Sequence, residues 1–527
     1  MREKIETLGY MLDCSRGAVP TVSTIRKMID ILSSWGYDYL MLYTEDTYPL
    51  PEEPYFGYMR GAYTQKELRG LDRYAKRHGM ELRPCFQTLG HLGRIRASDQ
   101  FNHYFDDDGT LLVKSEETYH FIDAMFRSYS SSLSSRHAHI GMDEAFGLGR
   151  GRYLDLHGYE PPSKLFEYHL KRVAEIASRY GYTCTFWADG LMTAKEPLSL
   201  PTNVTPMIWR YDYLNRSATE EEIQRFESLS SRPLSYAGGA IKWVGYVPNN
   251  TASIEALKVQ LAACEAHHIH DFLVTGWADG AAEASTFCTL PVLFQVALLR
   301  SHRPINDQAK KEFERTIGMS YDDFATVECL NRLMPTKIPY GKANNLSFIH
   351  LYQDPLQNPV LEVEKDAYPP LYHAAKETLQ KNETNESFGY LFETLTALAD
   401  VDELTSTFGK DALQAYQKKQ SLMPFVQKAK EIVARLDRLT ELYAKQWERE
   451  NKGFGLEKQL LRLGGLRTRY AYVESLFTRY ENKEITTIDE YAIKHLPKII
   501  FGKKINPNTL CQNFYRYLVS SGILNDN

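Results

Sequence analysis

The 527-residue sequence has no apolar run of about 18 residues, the length that a membrane-spanning helix needs. The apolar core of a signal peptide is also missing from its first residues, MREKIETLGYMLDCSRG. We therefore expect a soluble protein with no membrane partner. Basic residues are not in excess either, because 62 Lys and Arg stand against 67 Asp and Glu, for a net charge of −5. This balance argues against a dedicated nucleic-acid binder.

Cysteine is scarce and scattered. The seven cysteines stand at positions 14, 85, 184, 264, 288, 329 and 511, and none forms a CxxC pair. This pattern is typical of reduced thiols in an intracellular protein, so we expect a cytoplasmic location. It argues against a disulfide framework and a cysteine zinc site.

Metal-binding patterns are also incomplete. The HHIH run at 267–270 lies where a predicted helix gives way to a strand, which is typical of a polar helix end. The DDDG run at 106–109 begins like a calcium loop but lacks the remaining ligands, and it predicts a solvated turn. We expect neither a metal ion nor a cofactor.

The first 300 residues alternate short β-rich runs with longer amphipathic stretches. The runs are 7–13, 37–44, 81–88, 137–143, 183–189, 204–212, 234–240 and 271–279. Such alternation indicates parallel strands joined by helices. A doubly wound open sheet would give the same pattern. Eight units without a phosphate-binding glycine motif favour an α/β fold of the (β/α)8 TIM-barrel type, which we assign to residues 1–300.

The pattern of apolar residues changes near residue 301, where strand-like runs stop and long helical patterns begin. One example is 424–450, in which apolar residues recur at helical spacing. We predict a mostly helical C-terminal domain over 301–527. An apolar surface on this domain would suit a homodimer, although no single residue identifies the oligomeric state.

Two adjacent carboxylates, Asp143 and Glu144, stand where predicted strand four meets its loop. In a TIM barrel this is the face that carries the active site. Two carboxyl groups this close do not both ionise easily, which leaves one acid to donate a proton and one anion to stabilise positive charge. Glycoside cleavage requires this combination. An adjacent Asp-Glu pair on a solvated surface is the simpler alternative.

Aromatic residues gather at the same predicted face. Four of the six tryptophans stand at or just beyond strand ends: Trp187, Trp209, Trp243 and Trp277. Indole rings stack on the apolar faces of sugars, while charged groups bind the hydroxyls. A single tryptophan here would more simply cap the barrel core, but four favour a sugar pocket.

These motifs together resemble glycoside hydrolase family 20, the β-N-acetylhexosaminidases. The family's His-x-Gly-x-Asp-Glu strand is matched by HIGMDE at 139–144. Also similar are Arg16 after strand one, Gly90-His91 after strand three, and Trp277 with Asp279 after strand eight. The resemblance covers about residues 7–300 and is to a compact subgroup without the separate α/β domain that often precedes the barrel. The sequence departs from the family at Met142, often Gly, and at Asp279, often Glu.

The resemblance implies a retaining, substrate-assisted reaction in which the 2-acetamido group of the sugar attacks C1. Asp143 would orient that group and Glu144 would act as acid and base. Arg16 would donate to O3 and O4, and Asp279 would bind hydroxyls near O4 or O6. The remaining predicted substrate-binding residues are His91, Trp187, Trp209, Tyr211, Tyr236, Trp243 and Trp277.

A tyrosine should donate to the acetamido carbonyl, with Tyr211, Tyr236 and Tyr246 as candidates. His91 would orient an acid, or else only close its loop. The substrate would be an oligosaccharide or glycoconjugate that ends in N-acetylglucosamine or N-acetylgalactosamine. Two alternatives stay open: a barrel β-glycosidase with a carboxylate nucleophile, and a sugar-binding protein without turnover.

Overall fold

The structure is a computed structural model that describes residues 5–194, 196–212, 215–243, 245–280, 282–333, 346–357, 366–492, 499–500 and 503–504. Eight parallel strands close into a barrel in chain order, so the predicted TIM barrel is confirmed. The strands are β1 Thr7–Asp13, β2 Tyr39–Tyr43, β3 Glu81–Cys85, β4 His137–His139, β5 Thr183–Trp187, β6 Val204–Trp209, β7 Ser235–Gly239 and β8 Asp271–Gly276.

Helices follow the strands in alternation. They are α1 Val22–Ser34, α2 Gln65–Arg77, α3 Glu116–Ser132, α4 Arg152–His157, α5 Pro162–Arg179, α6 Arg216–Leu229, α7 Asn250–Ala266 and α8 Leu290–Arg300. The sequence specifies their starts locally. At α2, Thr64 and Glu67 form a reciprocal capping box, in which each side chain accepts a hydrogen bond from the other residue's backbone N–H.

The C-terminal region is helical, as predicted. Its helices are α9 Asp307–Ile317, α10 Tyr321–Ala325, α11 Leu346–Tyr352, α12 Tyr368–Gln380, α13 Gly389–Gln417, α14 Met423–Glu450, α15 Leu456–Glu481 and α16 Asp489–Ala492. A two-stranded ribbon follows, β9 Ile499–Ile500 and β10 Lys503–Lys504. Among the described residues, no helix combines the length and apolar character needed to cross a bilayer.

The chain divides into two compact units. The first comprises Met1–Ala240, Ser253–Trp277 and Val292–Ile305, and the second comprises Ile241–Ala252, Ala278–Pro291 and Asn306–Asn527. The loops that follow β7 and β8 are therefore grouped with the C-terminal helices. The domain boundary that we place at residue 300 stays a prediction.

Buried charges hold the second unit together. Glu283, in the loop after β8, forms a fully buried ion pair with Arg462 of α15. Glu450 of α14 accepts hydrogen bonds from Ser285 Oγ at 2.5 Å and from the Thr286 N–H at 2.7 Å. The loop after β8 is thus anchored to two of the C-terminal helices.

Strand register determines which side chains face the barrel interior. A side chain at Gly238 would meet Leu257 of α7, so this position faces outward. Because side chains alternate along a strand, the neighbouring Ala237 faces inward, and so does its register partner Trp209. The same alternation and pairing place these further residues inward: Asp13, Tyr39, Tyr43, Arg83, His139, Trp187 and Asp271.

A charged layer fills the amino-terminal end of the barrel. The Arg83 guanidinium lies 3.8 Å from the centre of the Tyr39 ring, and its Nε is 2.7 Å from Glu81 Oε2. The Tyr39 hydroxyl donates to Asp271 Oδ1 at 3.3 Å. Burial raises the pKa of Asp271 and the nearby Arg83 opposes this rise, so the arginine stabilises a buried carboxylate.

An Arg83→Met variant should therefore unfold more easily than the native protein, by about 1–3 kcal/mol, because it leaves the partly buried Glu81 and Asp271 carboxylates without their cation. Urea unfolding followed by circular dichroism measures the difference. Arg73→Met is the matched control, since Arg73 is exposed on α2. Equal stabilities for both variants would contradict a stabilising role for Arg83.

Candidate active site

The chain turns sharply after β4. This turn carries the carboxylates of Asp143 and Glu144 at the carboxyl end of the barrel. Gly141, Met142 and Glu144 all adopt positive φ angles, of 67°, 76° and 50°. A side chain at Gly141 would collide with the Gln87 amide, whose Oε1 accepts a hydrogen bond from the Met142 N–H at 3.1 Å. The expected strand 137–143 is therefore wrong at its end, because β4 stops at His139 and Asp143 lies in the following loop.

Asp143 is buried and is held as an anion. Gln87 Nε2 donates to its Oδ1 at 2.8 Å, and His91 Nε2 lies 3.1 Å from its Oδ2. Burial acts to raise the pKa of Asp143, but His91 and Gln87 outweigh it and the pKa falls below its usual value. Burial likewise acts to lower the pKa of His91, but the Asp143 carboxylate raises it to about 9. The two residues form an ion pair at neutral pH.

Glu144 is more open. Its side chain is 44% exposed, and its Oε2 lies 3.5 Å from His91 Nε2. The two adjacent acids therefore have different environments, since one is a buried anion and the other reaches solvent. His91 contacts both, and its cation relieves the charge conflict that the sequence predicts for this pair.

Asp189, just beyond β5, is a third acid of this cluster. Its Oδ2 accepts the Glu144 N–H at 3.0 Å and its Oδ1 accepts Trp209 Nε1 at 3.3 Å. Burial, followed by the Asp143 charge, raises the pKa of Asp189 to about 6. The sequence alone assigns Asp189 no role.

Arg16 lies in a second polar cluster at the ends of β1 and β2. Its Nη1 is 3.4 Å from Glu45 Oε1 and its Nε is 3.7 Å from Asp13 Oδ2. Tyr43 donates to Glu45 Oε1 at 2.9 Å and receives a hydrogen bond from Gln87 Nε2 at 3.0 Å. Through Gln87, this cluster is continuous with Asp143.

Sequence reasoning missed Tyr43, Glu45 and Gln87. The available signal was their place at or just after strand ends, where inward-facing positions meet the site. Neutral amides and tyrosines are too common at such positions for the sequence alone to identify them.

The structure brings three of the predicted tryptophans together. Trp187 and Trp277 have ring centres 6.0 Å apart, and Trp277 Nε1 donates to the Tyr211 hydroxyl at 2.6 Å. Tyr211 in turn stacks on Trp209, with centres 5.5 Å apart and planes at 25°. These residues form a continuous aromatic wall next to Asp189, which Trp209 contacts.

Tyr236 is not part of this wall. It alternates with Ala237 and faces outward, where its ring stacks on Phe272 with centres 5.8 Å apart. The prediction of Tyr236 as a substrate-binding residue is therefore contradicted, because its side chain points to the outside of the barrel. Tyr246 is buried in the second unit, with its hydroxyl 3.1 Å from that of Tyr352.

Trp243 and Asp279 also belong to the second unit, in the loops that follow β7 and β8. Trp243 is 8% exposed. Two residues further on, the Gly245 N–H donates to Glu283 Oε2 at 3.3 Å, which ties this loop to the one that carries Asp279. A role for Trp243 and Asp279 in the site stays a prediction.

The part of the chain that the structure describes contains no group of three or more His, Cys, Asp or Glu side chains arranged to hold a metal ion. His267 of the HHIH run lies 3.1 Å from Glu227, which fits a charged contact at a helix end. Asp106 and Asp107 of the DDDG run accept hydrogen bonds from backbone N–H groups. Asp106 is buried, at 6% exposure, so the prediction of a solvated turn is wrong at this residue.

His91 gives the fold a pH dependence of known sign. Its pKa is about 9 in the folded protein and 6.5 for the free side chain, so its protonation stabilises the fold fully below pH 6.5. This stability is lost as pH rises through 9, by about 3 kcal/mol. Urea unfolding at about pH 6 and about pH 10 should show a smaller pH-dependent loss in His91→Gln than in the native protein. The exposed His120→Gln is the control, and equal losses in all three proteins would contradict the ion pair.

Two family profiles match the chain. Residues 8–228 match "Glycosyl hydrolase family 20, catalytic domain", and residues 322–506 match "Glycoside Hydrolase 20C C-terminal domain". The first match includes Asp143, Glu144 and most of the aromatic wall, and the second includes most of the C-terminal helices.

Curated relatives include Hexosaminidase D of Homo sapiens and of Bos taurus. Each is 26% identical, over 210 and 214 residues, and each alignment covers 37% of this chain. The matches span 43% of the human protein and 60% of the bovine protein, which is less than two thirds of either. Among solved structures, a family 20 exo-β-N-acetylglucosaminidase from Vibrio harveyi is 14% identical with a TM-score of 0.47, covering 62% of this chain and 59% of that one.

The profile matches agree with the motif HIGMDE at 139–144 and with the barrel and helical region that follow from the sequence. The chain belongs to glycoside hydrolase family 20.

Proposed function

We propose that this protein is a retaining exo-β-N-acetylhexosaminidase that removes terminal N-acetylglucosamine or N-acetylgalactosamine by substrate-assisted catalysis. The observation that carries the proposal is the unequal acid pair. Asp143 is a buried anion fixed by Gln87 and His91, and the neighbouring Glu144 is open to solvent. Family membership and the names of the two curated relatives support the same activity.

In the first step, the acetamido carbonyl oxygen of the substrate forms a bond to C1 while the glycosidic C1–O bond breaks. Asp143 accepts a hydrogen bond from the acetamido N–H and offsets the positive charge that develops. Glu144 gives its proton to the departing oxygen. The product of this step is a bicyclic oxazolinium ion.

In the second step, Glu144 removes a proton from water, which attacks C1 from the face that the leaving group vacated. The bond between C1 and the acetamido oxygen breaks, and the sugar keeps its anomeric configuration. His91 holds the Asp143 anion throughout and lies close enough to Glu144 to stabilise its carboxylate between the two steps.

The other groups bind the sugar. Arg16 presents a planar guanidinium to O3 and O4, and Trp187, Trp209 and Trp277 enclose the acetamido methyl and the sugar face. Of the three candidate tyrosines, Tyr211 is favoured as donor to the acetamido carbonyl, because it contacts Trp209 and Trp277. From the family resemblance, we further propose that Asp279 binds hydroxyls near O4 or O6 and that Trp243 contacts the sugar.

The deciding experiment is release of 4-nitrophenol from the β-glycosides of N-acetylglucosamine and N-acetylgalactosamine, beside those of glucose and galactose. Turnover only of the first two supports the proposal. Equal turnover of all four, or a covalent adduct with a fluorosugar, would favour a carboxylate nucleophile. Binding of the sugars without turnover would favour a sugar-binding protein. We also propose a cytoplasmic location and a homodimer, which cell fractionation and light scattering test.

A further inference from the structure

Phe146 is the most exposed large hydrophobic side chain among the described residues, at 84%. Burying an aromatic ring of this size would be favourable, so its exposure needs an explanation. It lies two residues after Glu144, in the loop between β4 and α4.

A tight turn joins Phe146 to Glu144. The Phe146 N–H donates to the Glu144 carbonyl oxygen at 2.8 Å, which closes a three-residue turn across Ala145. The side chains of Glu144 and Phe146, on either side of Ala145, are exposed. These two exposed side chains therefore flank a single tight turn.

Hydrogen bonds and packing fix the loop that carries Phe146. Asp106 accepts hydrogen bonds from the Gly149 N–H at 2.7 Å and from the Tyr153 N–H at 2.6 Å. A side chain at Gly147 would overlap the Asp107 carboxylate, so this loop lies directly against the 106–109 turn. Leu148 is buried at 4% exposure. The exposure of Phe146 is thus a fixed feature of an anchored loop.

We propose that Phe146 is a platform for the leaving group of the substrate and selects leaving groups that have an apolar face, such as a sugar ring. This inference rests on the proposed function. A proton donor must lie within hydrogen-bond reach of the oxygen that it protonates, so the leaving group extends from Glu144. The leaving group extends away from the terminal sugar and toward solvent, and Phe146 is an exposed aromatic side chain only two residues from the proton donor. The C–H face of a pyranose or an aryl ring would cover the phenyl ring.

The test compares two substrates: a β-linked N-acetylglucosamine disaccharide and the methyl β-glycoside of N-acetylglucosamine, which has no ring to place on Phe146. Phe146→Ala should lower the ratio of their kcat/KM values, disaccharide over methyl glycoside, by about three- to tenfold. Phe146→Tyr keeps a flat ring and should restore the native ratio. Leu156→Ala is the matched control, since Leu156 is 56% exposed in α4 and should leave the ratio unchanged.

The outcomes separate the two proposals. An unchanged ratio in Phe146→Ala overturns the platform, whether both substrates keep their rates or lose them equally, while the proposed function stands. A native protein that hydrolyses neither substrate overturns the proposed function and the platform with it. Thermal unfolding of each variant shows whether a uniform loss of rate comes from a damaged fold.

Discussion

A Glu144→Gln variant is expected to lose about 10²–10⁴-fold in kcat/KM toward aryl N-acetyl-β-glucosaminides, the range that general acid–base catalysis supplies. Glutamine keeps the shape of the side chain but cannot transfer the proton. The loss should be largest for substrates with poor leaving groups, which depend most on protonation. Steady-state rates on a series of substituted phenyl glycosides measure both effects.

Glu175→Gln is the control for this variant, because Glu175 is exposed on α5 and lies 3.8 Å from Arg172, outside the acid cluster. Its rates should match those of the native protein. A Glu144→Gln enzyme with a native rate on a poor leaving group would show that another residue donates the proton, and Asp189, with a pKa of about 6, would then be the first to examine.

An Asp143→Asn variant is expected to lose about 10²–10³-fold in kcat, comparable with the removal of one fixed electrostatic partner of a transition state. Two effects combine. The amide does not offset the positive charge of the cyclising acetamido group, and His91 loses the anion that raises its pKa. Rates on the 4-nitrophenyl glycoside give the loss, and the NMR titration of His91 gives its pKa, which should fall from about 9.

The control here is Asp30→Asn, since Asp30 is exposed on α1. A second readout uses a thiazoline mimic of the cyclic intermediate, which should inhibit the native protein strongly and the Asp143→Asn variant weakly. Native inhibition and native rates in the Asp143 variant would end the case for substrate assistance.

The barrel could be predicted from sequence because its signal is local and repeated. Each of the eight apolar runs contains the strand that forms there, and helix α14 occupies Met423–Glu450 where the apolar spacing predicts a helix over 424–450. The end of β4 was predicted wrongly because it depends on the contact of Gly141 with Gln87, which lies 54 residues earlier in the chain. Neighbouring residues carry no trace of such a contact.

The site was predictable where charge or aromatic character concentrates, as at Asp143, Glu144 and the tryptophans. The site was not predictable where a residue's role depends on the face of the strand that it occupies. A position near a strand end does not show whether the side chain points into the barrel. Tyr236 shows this, since one step along β7 separates the interior from the helix side. Glu45 and Gln87 were missed for the complementary reason, since their importance comes from partners that only the closed barrel assembles.

The charged layer around Arg83 has a consequence for how substrate enters and product leaves the barrel. The interior of a TIM barrel is filled with side chains and is not a pore, and here Tyr39, Arg83 and Asp271 contribute to this filling at the amino-terminal end. Under the proposed reaction, a cleaved monosaccharide leaves by the same opening through which the glycan entered. The shortened chain must therefore withdraw before each new round, so trimming is distributive and the accumulating sugar competes with fresh substrate.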